Sequence, residues 1–347
     1  MTLFPGESVA DAARKAIAFG VESITLNQAA AEGGDAEPLH QLRVASRRLR
    51  ASIELFSGFI YATQLKICRR DIAWIMGQAG AVRECDVTAA LLRDRTAKIE
   101  PELAESIAPM LALLYARRKS EHAVLYEVLG SKRFRAFSLK MSRPAIKKIG
   151  SVRTLGAAAS QLMRTIARSA IHFGGALDND APAAKFHKLR VRIKRLRYAL
   201  EMLKPLGGKR HKKTLARLEE LQESLGLYHD VTVASAWLHR YAETSDAPPK
   251  TVLAAGALIQ SLARREAKLR RRCMKMWRRF ERSETMHDTL EEIRHASKST
   301  LMPAPIPAAS PDQSPAHHSQ SAPHQLNGDT QAEHASTASH SATDITT

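Results

Sequence analysis

Residues 39–56 read LHQLRVASRRLRASIELF, and residues 186–203 read FHKLRVRIKRLRYALEML. At an offset of 147, eight of the eighteen positions are identical, including His40/His187, Arg43/Arg190, Arg48/Arg195, Arg50/Arg197 and Glu54/Glu201. Position 47 keeps its charge as Arg47/Lys194. A second match follows at an offset of 146. There GAVREC (80–85) aligns with GLYHDV (226–231), retaining Gly80/Gly226 and an acid at Glu84/Asp230. Two segments that recur in the same order indicate a duplicated unit, and the period is far longer than that of a solenoid. The expected architecture is therefore two related half-domains.

Placed on a helix at about 100° per residue, the first segment sorts into two faces. Leu42, Leu49, Ile53 and Phe56 fall on one side. His40, Arg43, Arg47 and Arg50 fall within about 80° of each other on the other side. The second segment sorts the same way, with Leu189, Leu196, Leu200 and Leu203 opposite His187, Arg190, Lys194 and Arg197. Like charges three and four residues apart repel by a few tenths of a kcal/mol per pair. One carboxylate per stripe, Glu54 or Glu201, does not balance them. A solvated helix face usually mixes its signs. A stripe of one sign, present twice in the same register, points instead to an anionic ligand.

Working outward, the chain up to residue 300 reads as helix almost throughout. Ala, Leu, Arg and Glu dominate, and apolar residues recur at three- and four-residue spacing. Its breaks are short: Gly33-Gly34 with Pro38, Gly130, Pro144, Gly174-Gly175 with Pro182, Gly207-Gly208, and Pro248-Pro249. No alternating β-branched run suggests a strand. Composition changes at residue 301. The 301–347 segment has no Lys or Arg, is rich in Pro, Ala, Ser, Thr and His, and has too few bulky apolar residues to build a core, so disorder is expected. All 53 basic residues precede it, whereas four of the 35 acids (Asp312, Asp329, Glu333 and Asp344) lie within it. The net charge of +18 thus becomes +22 over the first 300 residues. Such a balance selects for anionic partners such as nucleic acid, polyphosphate or an acidic surface.

Cys68, Cys85 and Cys273 are widely spaced and odd in number, which argues against a disulfide framework or a zinc site. A reducing cytoplasm fits. The first residues lack the basic and apolar regions of a signal peptide. No run of about 18 apolar residues is present to span a membrane. Neither GxxxxGK[ST] nor HExxH occurs. No catalytic residue, metal ligand or cofactor is expected. Glu84, Asp86 and Asp230 are read as anchors for neighbouring Arg side chains.

HxLRVxxRRLR in the first half and HKLRVRIKRLRYxLE in the second resemble the CHAD family, the conserved histidine α-helical domain. GAVRECDV (80–87) is similar to the family's LGxVRDxDV segment, departing at Ala79 and Glu84, and LQESLGLYHDV (221–231) looks like its second-half counterpart. The likeness covers roughly residues 7–295. It implies an all-α fold of two pseudo-twofold-related helical bundles with a basic central groove or pore. In our reading this domain spans residues 1–300, with half-repeats of about 1–145 and 146–300, followed by the 301–347 tail. The likeness also implies binding of inorganic polyphosphate and association with polyphosphate granules in the cytoplasm. Members are often joined to a CYTH triphosphatase domain, whose ExExK strand is not found here.

Polyphosphate is a row of anionic oxygens without bases, so its receptor needs many cations in series. Arg suits it through bidentate hydrogen bonding, and Lys supplies point charge. The candidates are His40, Arg43, Arg47 and Arg50, with His187, Arg190, Lys194 and Arg197. Arg48 and Arg195 stand at the stripe edges, Lys188 lies beside the second stripe, and Lys66, Arg69 and Arg70 fall on the following helix. Arg83 and His229, at equivalent places in the second motif, are weaker candidates. His40 and His187 could contact the ligand or simply cap and pack the helix start. In Arg264–Arg282, ten Lys/Arg surround Trp277 and Phe280, which are read as core; its basic face could extend the groove or touch nucleic acid. Lys209–Lys213 is read as a solvated run. Two other classes compete: an RNA- or DNA-binding protein, although no recognition motif is visible, and an enzyme acting on phosphate chains.

Overall fold

The computed structural model describes residues 1–147, 153–244 and 246–299. Helices begin where the sequence supplies a cap. Ser8 Oγ accepts the Asp11 N–H at 3.0 Å ahead of α1 (Val9–Leu26). After α2 (Gln28–Glu32) comes α3 (Ala36–Leu55), which carries the first basic stripe. Pro38 does not break it, because it sits in the first turn, where its missing N–H has no helical partner to lose. A 3₁₀ turn at Ser57–Phe59 leads into α4 (Ala62–Thr96), then α5 (Pro101–Ala104) and α6 (Ala108–Gly130). Ser131 Oγ accepts from the Phe134 N–H to start α7 (Lys132–Ser142).

The second half starts with α8 (Leu155–Gly175), capped by Thr154 Oγ1 on the Ala157 N–H. The second stripe lies on α9 (Ala183–Met202). A 3₁₀ turn at Lys204–Leu206 leads to α10 (Lys209–Thr244), then α11 (Pro249–Glu281) and α12 (Thr285–Ser299). Within Lys209–Lys213, Lys209, Arg210, Lys212 and Lys213 are exposed, but His211 is buried. The Glu292 carboxylate of α12 accepts the N–H groups of Gly208, Arg210 and His211, satisfying the donors that open α10.

The described residues contain no strand, and the fold is all-α. Isolated bridges join Ser8 to Thr154 and Ile60 to Ile146. Each sequence-matched segment is a 20-residue helix followed by a 3₁₀ turn and a long helix, of 35 residues for α4 and 36 for α10. Packing partners follow one order in both halves. Helix α3 packs on α1 and α4, with α4 on α6 and α1 on α7; helix α9 packs on α8 and α10, with α10 on α11 and α8 on α12. Across the middle, α3 meets α9 and α4 meets α10.

The apolar faces read from the sequence are the core: Leu42, Leu49, Ile53 and Phe56 of α3 are buried, as are Leu189, Leu196, Leu200 and Leu203 of α9. Trp277 and Phe280 are buried as expected, and the three cysteines are free and buried. No described helix is long and apolar enough to cross a membrane. The expectation of a disordered 301–347 tail falls outside the described residues.

Close packing makes two helical glycines specific. A Cβ on Gly20 would meet Leu49 Cβ at 2.9 Å where α1 crosses α3, and one on Gly174 would lie 2.1 Å from Trp277 Cζ2. Gly174→Ala is therefore expected to destabilise the protein by about 1–3 kcal/mol through overpacking, although Ala is the better helix former. In urea melts followed by circular dichroism, Gly256→Ala, which meets nothing within 4 Å, should be neutral or stabilising.

Candidate functional site

Helices α3, α4, α9 and α10 enclose a cleft of about 530 Å³. Arg43, Arg47 and Arg50 reach it from α3, His187 and Arg190 from α9, Arg83 and Glu84 from α4, His229 and Asp230 from α10, and Arg117 from α6. It continues into a recess of about 240 Å³ between α3 and α9, where Lys194 and Arg195 join the first three arginines and Arg190. The apolar sides of α3 and α9 lock into the core and leave their basic sides facing each other.

Few of these cations find a counter-ion. Arg43 Nη1 donates to the Ala79 carbonyl at 2.8 Å, and Arg47 Nε to the Arg43 carbonyl at 3.1 Å. Gly80 lies beside this contact: a Cβ there would stand 3.4 Å from Arg43 Nη1, ordinary van der Waals distance. Arg190 Nε is buried without a hydrogen-bond partner. Glu84 and Asp230 are the two lining carboxylates; Glu84 lies 3.9 Å from Arg117, and Asp86, outside the lining, accepts from Arg118 at 2.6 Å. Asp86 anchors an arginine, as read from the sequence, whereas Arg117 lies nearer Glu121, at 3.5 Å, than Glu84. Asp230 faces Arg190, Lys194, Arg83 and Arg43; burial pushes its carboxyl up, and the four cations only partly pull it back.

The crowding alters the bases themselves. Burial, then the charges of Arg47, Arg83 and Arg190, bring Arg43 down to about 10. Arg50 is lowered by burial and Arg195, and Arg190 by burial, the latter against the pull of Asp230. Lys194 responds most: burial, reinforced by Arg190, Arg47 and Arg43, takes it to about 6. His187 Nδ1 stands 3.3 Å from His229 Nδ1. Burial and the nearby Arg190, His187 and Lys194 lower His229 to about 3, and burial with Arg190 and Lys194 also lowers His187. At neutral pH, Lys194 and both rings are uncharged in the empty cleft, and an entering anion would favour their protonated forms.

The structure gathers Arg43, Arg47, Arg50, His187, Arg190, Lys194 and Arg195, but not the rest of the sequence-derived set. Arg197, the register partner of Arg50, turns to Gln222 at 2.9 Å and to Glu201, and stacks over Tyr198. Arg48 lies on another face, beside Phe19 and Glu201. Arg69 forms a bidentate pair with Glu54 at 3.0 and 2.7 Å, and Arg70 turns to Asp71 at 3.2 Å. His40, Lys66 and Lys188 are exposed and do not line the cleft. Conversely, Arg83 and His229, ranked lower on sequence, do line it. Arg117 carries no motif, and only the packing of α6 on α4 brings it in.

The sequence signature of the CHAD domain matches residues 15–239. The crystal structure of the CHAD domain from the plant Ricinus communis superimposes with a TM-score of 0.65 at 25% identity, covering 80% of this chain and 94% of that one. PptA from Streptomyces chartreusis superimposes with a TM-score of 0.66 at 18% identity, covering 79% and 100%. Among curated proteins, none matches the chain.

Burying Lys194 among arginines works against folding. Its folded value of about 6 lies below its ordinary 10.5, so between these values the unfolded chain binds the extra proton and stability from this group rises with pH. Lys194→Met should raise stability by about 1–4 kcal/mol at pH 7. It should also flatten the pH dependence between about 6 and 10, as read from urea melts across that range.

Proposed function

The chain belongs to the CHAD domain family, and on that premise we propose that it binds inorganic polyphosphate in the cleft between α3 and α9. The observation that carries this reading is the buried, unpartnered Nε of Arg190 in a cleft where Arg43, Arg47, Lys194 and Asp230 converge. A buried donor without an acceptor costs about 1–3 kcal/mol, and more when charged. A phosphate oxygen would supply that acceptor, and neighbouring phosphates would answer the remaining cations. A flexible chain of phosphates suits the site because the cations succeed one another along two helices rather than closing around a single point.

Nucleic acid is the competing polyanion. Base recognition draws on exposed aromatic faces, but Tyr198, which borders the recess, is buried under Arg197. We read the protein as a binder rather than an enzyme: Asp230, the acid set among the cleft cations, stands alone among bases, and Asp86 is paired with Arg118. Through the same contacts the protein would associate with polyphosphate granules in the cytoplasm.

Titration with long-chain polyphosphate against RNA of equal total charge, at several salt concentrations, tests this reading. Arg43→Ala/Arg47→Ala/Arg190→Ala should weaken polyphosphate binding by about 100-fold or more, since each charge-assisted hydrogen bond contributes about 1.5–3 kcal/mol. The steep loss of affinity with salt should become shallower. Arg48→Ala/Arg69→Ala should change affinity by less than about 2-fold, because those side chains lie outside the cleft or are already paired. Equal or tighter RNA binding, or an unaffected triple variant that is folded by circular dichroism, would overturn the assignment.

A further inference from the structure

Beyond the family-matched residues, α11 carries a second basic surface. Arg271, Arg272, Lys275, Arg278, Arg279 and Arg282 are all exposed. At about 100° and 1.5 Å per residue they occupy an arc of about 120° along about 17 Å of the helix axis. Among the described residues, none of the six lies within 4 Å of a carboxylate. Helix charges normally alternate in sign to gain a few tenths of a kcal/mol per pair, and here the same spacing repels. Glu281 leans over Gly175 and Glu266 reaches the Tyr228 hydroxyl. Five of the six cations line a shallow groove with Asn179 and Ser283.

Helix α11, which carries the stripe, packs along α10, one wall of the cleft. Arg270, at its start, donates to the Asn179 carbonyl at 3.0 Å and to the Tyr228 hydroxyl at 3.1 Å, with its guanidinium over the Phe186 ring. Tyr228 and Phe186 directly precede His229 and His187, the paired rings of the cleft. Asn179 lines the groove eight residues before His187, whose exposed ring lines the cleft.

We infer that a polyphosphate chain held in the cleft runs out past His187 and Asn179 onto the α11 groove, so that one long chain occupies both surfaces. This rests on the proposed function of the cleft and adds a chain-length preference to it. The opposite side of α11, with Leu269, Cys273, Trp277 and Phe280, is buried in the core. The helix thus has no apolar face to insert into a membrane. The stripe also offers no exposed aromatic on which a base could stack.

The test compares tripolyphosphate with long-chain polyphosphate on Arg271→Gln/Lys275→Gln/Arg278→Gln/Arg279→Gln. Loss of the second contact should cost about 10-fold or more in affinity for the long chain, through lost multivalency. Tripolyphosphate affinity should be unchanged, which also shows that the variant is folded. The cleft triple variant should lose both ligands; if it loses neither, the cleft reading fails, whatever α11 does. If the α11 variant keeps full long-chain affinity while the cleft variant does not, the extension alone is overturned. Loss of RNA binding with long-chain polyphosphate binding intact would assign the stripe to nucleic acid and overturn it equally.

Discussion

Arg43 and Arg190 face one cleft from two helices, both partly buried, and the charge of Arg190 is felt at Arg43. At an effective dielectric of about 20, two unit charges 4 Å apart repel by about 4 kcal/mol. Arg47 and Arg83 add to that repulsion, and Asp230 opposes it. Nothing in the cleft holds α3 against α9; the scaffold behind them must. Each fully buried Leu of the two apolar faces contributes about 1.5–3 kcal/mol. The two glycine-mediated approaches, Gly20 on Leu49 and Gly174 on Trp277, fix the flanking helices at close range.

This division of labour explains why the two halves share one packing order. A short helix carrying cations needs one neighbour to bury its apolar side and another to wall its basic side. Helices α1 and α8 serve the first need, and α4 and α10 the second. The α4 wall also fixes a cation directly: Arg43 donates to the Ala79 carbonyl and is held in the cleft.

The all-α fold, the two stripe helices, their buried faces and most of the cleft arginines were legible because helical periodicity is a property of the segment alone. What periodicity cannot show is what stands across from a face. Arg197 has the register of Arg50, yet Gln222 and Glu201 take it. Glu201 is an i,i+4 neighbour on α9 and its pairing was legible, whereas Gln222 comes from α10 and was not. Arg69 was lost to Glu54 for the same reason. Arg117 had no signal at all, since only the crossing of α6 over α4 gives it a role. His211 shows the converse error: a run that reads as solvated charge hides a buried ring, because Glu292, some eighty residues on, caps the helix that begins there.

The lowered proton affinities bear on why the cleft tolerates so many bases. With Lys194 at about 6 and His229 at about 3, the empty site at neutral pH holds fewer charges than its sequence implies. The scaffold therefore has to oppose the repulsion of the arginines alone, which cannot shed their protons. An anion entering the cleft favours the protonated form of Lys194, so attraction grows as the ligand arrives. Arginine supplies the permanent part of the field, and Lys194, whose lowered value lies nearest neutrality, supplies a part that an anion can call up. Replacing Lys194 by another arginine would keep the net charge of the bound state, but it would impose on the empty protein the repulsion that lysine is able to shed.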